Sequence, residues 1–501
     1  MRRSRWSLLA ALAVLLALVP ATRAQGYLDL EDRIQEFTLD NGITFIVLER
    51  HDVPVFSFRT YMSVGSANEV RGVTGIAHIL EHMAFKGTDQ IGTSDYKAEK
   101  KAMAAEDAAF AALKLERNKG ERADPQKLAE LEQAFSDAKD AAREYVVSNE
   151  FGQIVESNGG VGLNASTWTD ETQYFYSLPS NRLELWGYLE GNRMARPVLR
   201  EFYTEKDGPV TEERRMRTDN SPFGRLLEQL QNLAFMANGY HHSTIGYMSD
   251  IETITRADCQ EFYDTHYIGP NMTIAIVGDV QLDEVKRVAR KYFSAIPGGE
   301  PQPMETLEPD QLGEKRIVLR EDSQPVVTIG YKVEGIHHPD DPVYSVIADI
   351  LGQGRTSRLY TSLVKEQNKA VQAMSFAGYP GKRHRNLLIA FGIPTKGVTA
   401  AELEGLLQAE IDKLVDGGVT EQELEAVKQR TRANFVRGLR GNNGMAGQLA
   451  FYQGMTGDWR NLFDQVDAIE AVTLDDVQRV AAEIFQPRNR TVALIENEQD
   501  S

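Results

Sequence analysis

Residues 36–49 form two runs rich in β-branched and aromatic residues, and Asn41-Gly42 lies between them. An Asn-Gly pair in this position is a strong short-range signal for a β-hairpin. Residues 55–64 form another apolar run that ends at Gly65-Ser66 and predicts a further strand. The pattern therefore predicts an α+β unit at the start of the fold.

The stretch that follows predicts a short helix. Gly72 and Gly75 precede it, Gly87 follows it, and good helix formers fill its interior. Its apolar residues are Ile76, Ile79, Leu80, Met83 and Phe85. We expect a short, largely apolar helix at residues 75–85.

Residues from about 97 to 150 differ in composition from their surroundings. They are rich in Ala, Lys, Glu and Leu, with breaks near residues 118–120 and 124–125. Leu128, Leu131 and Phe135 have helical spacing. We predict two helices that form an antiparallel hairpin, serving as a spacer or as a surface for a partner.

The chain also contains an internal repeat. Residues 252–279 align without gaps to residues 470–497, at a constant offset of 218. The identical pairs are Glu252/Glu470, Thr255/Thr473, Asp258/Asp476, Gln260/Gln478, Asn271/Asn489, Thr273/Thr491 and Ala275/Ala493. Each copy predicts a capped helix, a turn and a strand, so the chain reads as a duplication.

Near the starts of the two copies, residues 54–55 match residues 325–326 at an offset of 271. The first copy therefore has 53 extra residues, the size of the predicted helical hairpin. We predict an α+β fold of two homologous α/β-sandwich domains with a helical-hairpin insertion in the first. The expected boundaries are residues 25–297, a Pro/Gly-rich linker at 298–314, and residues 315–501.

Residues 1–24 have the pattern of a secretory signal. Three arginines precede the apolar run of residues 8–19, and Ala-Thr-Arg-Ala ends the segment. The run is short for a membrane-spanning helix, so we expect cleavage before Gln25 and a periplasmic or secreted protein. An uncleaved membrane anchor is the alternative. No second apolar run is long enough to cross a bilayer.

Charge and cysteine content exclude some classes of function. The formal net charge is −18, and removal of the four arginines in residues 1–24 would make it −22. Such an acidic chain repels nucleic acid, so no nucleic-acid partner is expected. The single cysteine, Cys259, excludes an internal disulfide and a cysteine-rich metal site.

The predicted short helix carries the candidate chemistry. His78, Glu81 and His82 have the i, i+3, i+4 spacing that places them on one face. A histidine pair at i, i+4 is often only surface polarity, but three ionisable groups on a largely apolar helix need partners. Two imidazoles can bind Zn²⁺ while the glutamate takes a proton from a water. The order HxxEH marks the inverzincin class.

The repeat supports a functional reason for these residues. The offset of 271 places Asp349-Ile350-Leu351-Gly352-Gln353 on the motif, so the apolar pair recurs and the polar groups do not. The fold therefore does not require them, and we predict a second domain without metal ligands.

A catalytic zinc site needs a third protein ligand and an open position. Candidate carboxylates cluster at Glu201, Glu205, Glu212 and Glu213. The adjacent pairs His241-His242 and His337-His338 are less suited, because neighbouring side chains diverge in a helix or a strand.

Four segments resemble the pitrilysin-type (insulinase-like) zinc metallopeptidases: HILEHMAFKGT, GGVGLNASTWTDETQYFYSLP, FYTEKDGPVTEERRMRTDNSP and NMTIAIVGD. The chain is most similar to their short bacterial members, which are related to the mitochondrial processing peptidase. The resemblance implies that His78 and His82 bind one Zn²⁺ per chain and that Glu81 activates water.

The resemblance also implies a third ligand roughly 75 residues after the second histidine. Glu213 lies 131 residues after His82, or 78 without the 53-residue insertion. Alignment on EERRMR selects Glu213, with Glu212 as the alternative. Glu205 would be a supporting carboxylate, although the run between the two glutamates is one residue longer than the family pattern.

Members of this family hold substrate with an Arg and a Tyr seven apart in the second domain, where this chain has Val364 and Val371. The resemblance therefore implies the metal-bearing subunit of a heterodimer whose second subunit supplies that pair. The sequence does not decide between this heterodimer and a homodimer. Leu163, Asn164 and Ala165 would bind an extended peptide at a strand edge; otherwise they belong to an ordinary sheet hairpin.

We therefore expect a zinc-dependent endopeptidase that hydrolyses peptides or unfolded segments. The alternatives are a non-catalytic scaffold with a vestigial metal helix and a zinc amidase or esterase on another fold.

Overall fold

The computed structural model describes residues 30–304 and 306–497, so the predicted signal segment, residues 1–24, lies outside the described residues. Within them the strands are β1 Ile34–Thr38, β2 Thr44–Glu49, β3 Val55–Met62, β4 Val161–Thr167, β5 Thr172–Pro179, β6 Met272–Gly278, β7 Lys315–Glu321, β8 Val326–Val333, β9 Ala370–Tyr379, β10 Asn386–Pro394 and β11 Arg490–Asn497. The predicted hairpin around Asn41-Gly42 is the antiparallel pair β1/β2.

The α-helices are α1 Ile76–Met83, α2 Tyr96–Arg117, α3 Pro125–Arg143, α4 Glu150–Ser157, α5 Leu183–Ala195, α6 Phe202–Glu205, α7 Thr211–Arg214, α8 Pro222–Ala234, α9 Met248–Thr253, α10 Arg256–His266, α11 Leu282–Tyr292, α12 Asp341–Gly352, α13 Ala400–Gly417, α14 Glu421–Arg440, α15 Asn442–Thr456, α16 Asn461–Ala471 and α17 Leu474–Ile484. The short helix predicted around the HxxEH motif is α1. None of the helices in the described ranges is long and apolar enough to cross a membrane.

The strands form two mixed sheets with the same order. The first is β1-β2-β6-β3-β5-β4 and the second is β7-β11-β8-β10-β9. Each contains one parallel pair, β2/β6 in the first sheet and β7/β11 in the second. The remaining pairs are antiparallel, so the two sheets match strand for strand apart from β1. The predicted duplicated α+β fold is confirmed.

The repeated segments keep their local chemistry. Thr255 caps α10 and Thr473 caps α17, and in each case an aspartate three residues later completes a capping box. The strand that follows each helix is buried in the middle of its sheet. The sequence identities therefore mark the helix starts and central strands of both halves.

The two halves exchange helices across the molecule. Leu226 and Leu230 of α8, from the first half, pack on the second sheet against Ile389 and Ile495. The reciprocal helix α15, from the second half, covers the first sheet. Each sheet thus has one face against its own helices and the other partly covered by a helix from the opposite half.

Helices α2 and α3 pack against each other as an antiparallel pair. The rings of Phe110 and Phe135 lie 5.2 Å apart, and Arg117 pairs with Glu132 at 3.0 Å. Arg256 joins the pair to α10 through Asp107 at 2.8 Å. After α3 the chain pairs at Val146 with Thr93, and Val146 lines the same cleft as Glu81 and His82 of α1. The segment after the helical pair therefore returns to the neighbourhood of the HxxEH motif.

Candidate metal centre

Helix α1 presents two histidines to one point. It begins after Gly75, whose φ of 91° places it in the left-handed region that glycine adopts readily. Ile79 and Met83 are buried in the core of the first half. On the opposite side, the Nε2 atoms of His78 and His82 lie 3.3 Å apart. The rings are nearly perpendicular, so both nitrogens can point toward one ion.

Glu213 completes a group of three. Its Oε2 atom lies 3.5 Å from the Nε2 atom of each histidine. A tetrahedral ion with bonds of about 2.0–2.1 Å separates its ligand atoms by about 3.3 Å. These three side chains therefore fit zinc without rearrangement, and they form the one such group in residues 30–304 and 306–497.

The side chain of the neighbouring Glu212 points away from the histidines. Its side chain is 59% exposed and pairs with Arg215, whereas the Glu213 side chain is 18% exposed. Of Glu212 and Glu213, the two alternatives for the third ligand, the structure places only Glu213 beside the histidines.

A wider helical turn aligns Glu205 with Glu213. The stretch 202–219 is continuously helical, but Lys206–Val210 forms a π turn between α6 and α7. Thr211 donates its backbone N–H to the carbonyl of Lys206, five residues earlier. Eight residues of regular α-helix would leave the two carboxylates about 80° apart, whereas one inserted π residue leaves about 20°. The run between Glu205 and Glu213 is one residue longer than the family pattern, and this π turn accommodates the extra residue.

Glu205 orients one of the histidines. Nδ1 of His82 donates to Oε1 of Glu205 at 3.1 Å, which directs Nε2 of the same ring toward Glu213. Lys86 lies 2.6 Å from Oε2 of Glu205 and 3.1 Å from Oε2 of Glu201. Lys86 thus holds the supporting carboxylate in place.

The cluster is strongly coupled electrostatically. Burial alone would lower the pKa of His82, but Glu205 and Glu213 outweigh it and raise that pKa to about 9. The imidazoles of His78 and His82 in turn hold the pKa of Glu213 far below its ordinary value. Two carboxylates and two imidazoles around one point stabilise positive charge, which suits a divalent cation.

Glu81 faces a cleft beside the histidines. The cleft has a volume of about 320 Å³, and Glu81, His82 and Phe85 line it together with Asn164 and Ala165 of β4. In the described part of the chain the Glu81 carboxylate makes no hydrogen bond or ion pair, so it is available to a substrate or a water. Leu163 instead packs toward the core.

Strand β4 is the last strand of the first sheet and pairs with β5 on one side. Its other side borders the cleft, through Asn164 and Ala165. Asn164 is exposed, whereas Ala165 is buried. A peptide lying in the cleft would therefore meet an unpaired strand edge.

In the second half the corresponding helix is α12. Asp349 pairs with Arg430, and a Cβ atom on Gly352 would lie 1.7 Å from the backbone of Ser375. Val364 packs against the core of the second half, and Val371 is 55% exposed on β9. Asp349 thus forms an ion pair, and Gly352 and Val364 have packing roles.

Sequence reasoning missed Arg217 and Lys86, which pair with the carboxylates of the site. Arg217 binds Oε1 of Glu213 at 2.7 Å and leaves Oε2 to the histidines. Its i, i+4 spacing from Glu213 was a signal that could have been followed. Lys86 had no such signal, because its partners are more than a hundred residues away.

A duplicated α+β scaffold with a His-x-x-Glu-His helix and a distant glutamate defines the inverted-motif zinc metallopeptidases and their homologues. Models of peptidase family M16 match segments in both halves of the chain. Residues 46–114 match the family model described as insulinase (peptidase family M16), and residues 253–431 match the one described as peptidase M16 inactive domain.

Individual relatives cover nearly the whole chain. The zinc protease PqqE of Helicobacter pylori is 29% identical over 496 residues, which is 96% of each chain. The crystal structure of a protease from Helicobacter pylori has a TM-score of 0.77 and 28% identity, covering 92% of this chain and 99% of that one. The mitochondrial-processing peptidase subunit beta of Lentinula edodes is 23% identical, covering 92% of this chain and 89% of the relative.

Proposed function

We propose that this chain is a zinc-dependent endopeptidase that binds one Zn²⁺ through His78, His82 and Glu213. The single observation that carries the proposal is the meeting of three ligand atoms at 3.3–3.5 Å, the spacing of a tetrahedral site. The name of the Helicobacter pylori relative, a zinc protease, supports the same chemistry.

When bound, zinc would polarise the scissile carbonyl and lower the pKa of the attacking water toward ~7. Glu81 acts as the general base that takes the proton from this water and passes it to the leaving amine. Its support is its position beside His82 in the cleft, without a protein partner in the described residues. Glu205 fixes the orientation of His82 during the reaction.

The substrate is a peptide or an unfolded segment in extended form. It adds to the edge of β4, where Leu163, Asn164 and Ala165 bind through their backbone groups. The support is the open edge of β4 next to Glu81. Backbone recognition gives affinity with little dependence on the side chains of the substrate.

The chain is the metal-bearing subunit of a pair. Val364 and Val371 stand where the resemblance expects a substrate-holding Arg and Tyr, and the similar Lentinula edodes protein is named a subunit. The second subunit is a related chain that supplies the missing pair. Full-rate cleavage by the purified chain alone, as a monomer or a homodimer, would show that no such partner is needed.

The active protein resides in the periplasm or outside the cell, after removal of residues 1–24. The support for this location is the basic, apolar and small-residue pattern of that segment.

The rival function is a non-catalytic scaffold in which the metal helix is vestigial. The second half, which lacks the motif, shows that the fold can exist without it. A quenched-peptide assay with and without a chelator separates the two. We expect cleavage that a chelator abolishes and Zn²⁺ restores. The Glu81→Gln variant should bind zinc in the same amount, measured by elemental analysis, and lose about 10²–10⁴-fold in kcat. Activity retained by this variant would exclude Glu81 as the base.

A further inference from the structure

We propose that Glu69 and His242 are positioning residues that fix the start of helix α1 and so set the zinc affinity of the site. The inference rests on the proposed zinc function. It concerns a buried carboxylate and a buried imidazole that lie outside the group of metal ligands.

Helix α1 has no cap of its own. Gly75, at its N-terminus, has no side chain, and the eight-residue helix is too short to be stable alone. Glu69 supplies the missing acceptors from outside the helix. Its Oε2 accepts from the backbone N–H of Gly75 at 2.8 Å, and its Oε1 accepts from that of Ala77 at 2.9 Å. A carboxylate at this end also interacts favourably with the helix dipole.

His242 holds Glu69 in this position. Its Nε2 donates to Oε2 of Glu69 at 2.7 Å, and both side chains are completely buried. The two residues are 173 positions apart, so this contact fastens α1 to the segment between α8 and α9. A buried carboxylate with three donors around it is fixed in one orientation, because loss of any donor is costly there.

Backbone contacts continue this attachment. A Cβ atom on Gly75 would lie 2.7 Å from the carbonyl oxygen of Ile245, so the two segments touch at backbone distance. Thr74 donates its backbone N–H and its hydroxyl to Asp250, at 3.1 and 2.7 Å. The residues just before α1 are therefore held by the segment that carries His242 and by helix α9, which follows it.

The position of the ligands depends on this attachment. Ala77, whose N–H bonds to Glu69, is the residue before His78. Because α1 has only about two turns, a shift of its first turn moves His78, Glu81 and His82 relative to Glu213, which belongs to another helix. The geometry points to Glu69 and His242 as determinants of the distance between the histidines and Glu213.

The test compares two buried carboxylates with the same kind of partners. Glu308 also accepts backbone N–H groups, from Met236 and Ala237, and pairs with Lys332 at 2.8 Å, but it does not contact α1. We would measure the dissociation constant for Zn²⁺ by competition with a fluorescent chelator in the Glu69→Gln and Glu308→Gln variants. Glu69→Gln should bind zinc about 10–100-fold more weakly, the range typical of outer partners of metal ligands. Glu308→Gln should bind it as the unaltered chain does.

Equal zinc affinity in Glu69→Gln and the unaltered chain would overturn the inference. If the Glu69 variant does not fold, the inference is tested with a His242→Leu variant, which keeps both backbone hydrogen bonds of Glu69. It should weaken zinc binding and speed hydrogen exchange at the amide of Ala77. Unchanged affinity and exchange in a folded His242→Leu protein would also overturn it. If instead the unaltered chain and His78→Ala bind zinc equally, the proposed function itself fails.

Discussion

Glu205 accepts a hydrogen bond from Nδ1 of His82 at 3.1 Å across 123 positions of sequence. The bond fixes which nitrogen of His82 faces Glu213, and Lys86 holds the carboxylate from its other oxygen. Replacement by an amide removes the charge and allows the side chain to flip. We predict that Glu205→Gln lowers zinc affinity about 10–100-fold, measured by competition with a chelator. Unaltered affinity would mean that His82 is oriented by other contacts.

Glu213 and Glu212 provide a matched pair of variants. Glu213→Gln replaces the carboxylate that lies 3.5 Å from both histidines, so zinc affinity should fall by at least about 100-fold. Glu212→Gln changes an exposed side chain paired with Arg215 and should leave zinc content unchanged. Elemental analysis after dialysis checks both. Loss of zinc in the Glu212 variant alone would reverse the assignment.

Recognition at the edge of β4 predicts an alternating pattern in the substrate. In strand pairing, only every second residue of the added peptide faces the strand with its N–H and C=O. Methylation of one such backbone amide removes a bond of about 0.5–1.5 kcal/mol, so kcat/KM should fall by roughly 2–12-fold. The intervening amides should tolerate methylation. A scan of singly N-methylated peptides would reveal the period, and a flat or irregular profile would contradict edge addition.

The lowered pKa of buried His266 leads us to predict a loss of stability in mild acid. Burial lowers its pKa from the ordinary 6.5, so the unfolded chain takes up a proton before the folded chain does. The free energy of unfolding should therefore fall as pH decreases below about 6.5, by at most about 1.4 kcal/mol per pH unit for this group. In His266→Leu, the fall in melting temperature between pH 6.5 and 5.5 should be smaller.

The measurement is made with a chelator present, so that zinc release does not contribute. His82, with a pKa raised to about 9, titrates above this range. His51 serves as the control because its pKa is raised by Asp279, and the stability it contributes is complete below its unfolded pKa. A His51→Leu variant should keep the slope of the unaltered chain. An equal slope in His266→Leu would exclude His266 as the source.

Local periodicity and the repeat were enough to predict much of the fold. The i, i+3, i+4 spacing anticipated a shared face on α1, and the two copies anticipated the matching sheets. The placement of Glu213 beside the histidines agrees with the count from His82 after allowance for the insertion. The shared face and the matching sheets follow from short-range spacing and from comparison of the chain with itself, whereas the count to Glu213 also needed the family resemblance.

Other features depend on contacts that spacing does not encode. The bond from His242 to Glu69 and the approach of Lys86 to Glu205 join residues that only the folded chain brings together. The π turn at Lys206–Val210 looked from the sequence like a one-residue departure from the family pattern. Its effect on the direction of Glu205 is visible only from the helix geometry.

The exchange of α8 and α15 between the halves makes separate expression of either half unfavourable. A fragment ending before β7 would retain α8 without the sheet that covers Leu226 and Leu230, and would lose α15 from its own sheet. Both surfaces are apolar and would promote aggregation. The second half, although it lacks the motif, thus covers apolar surface of the first, which gives a copy without metal ligands a structural role in the same polypeptide.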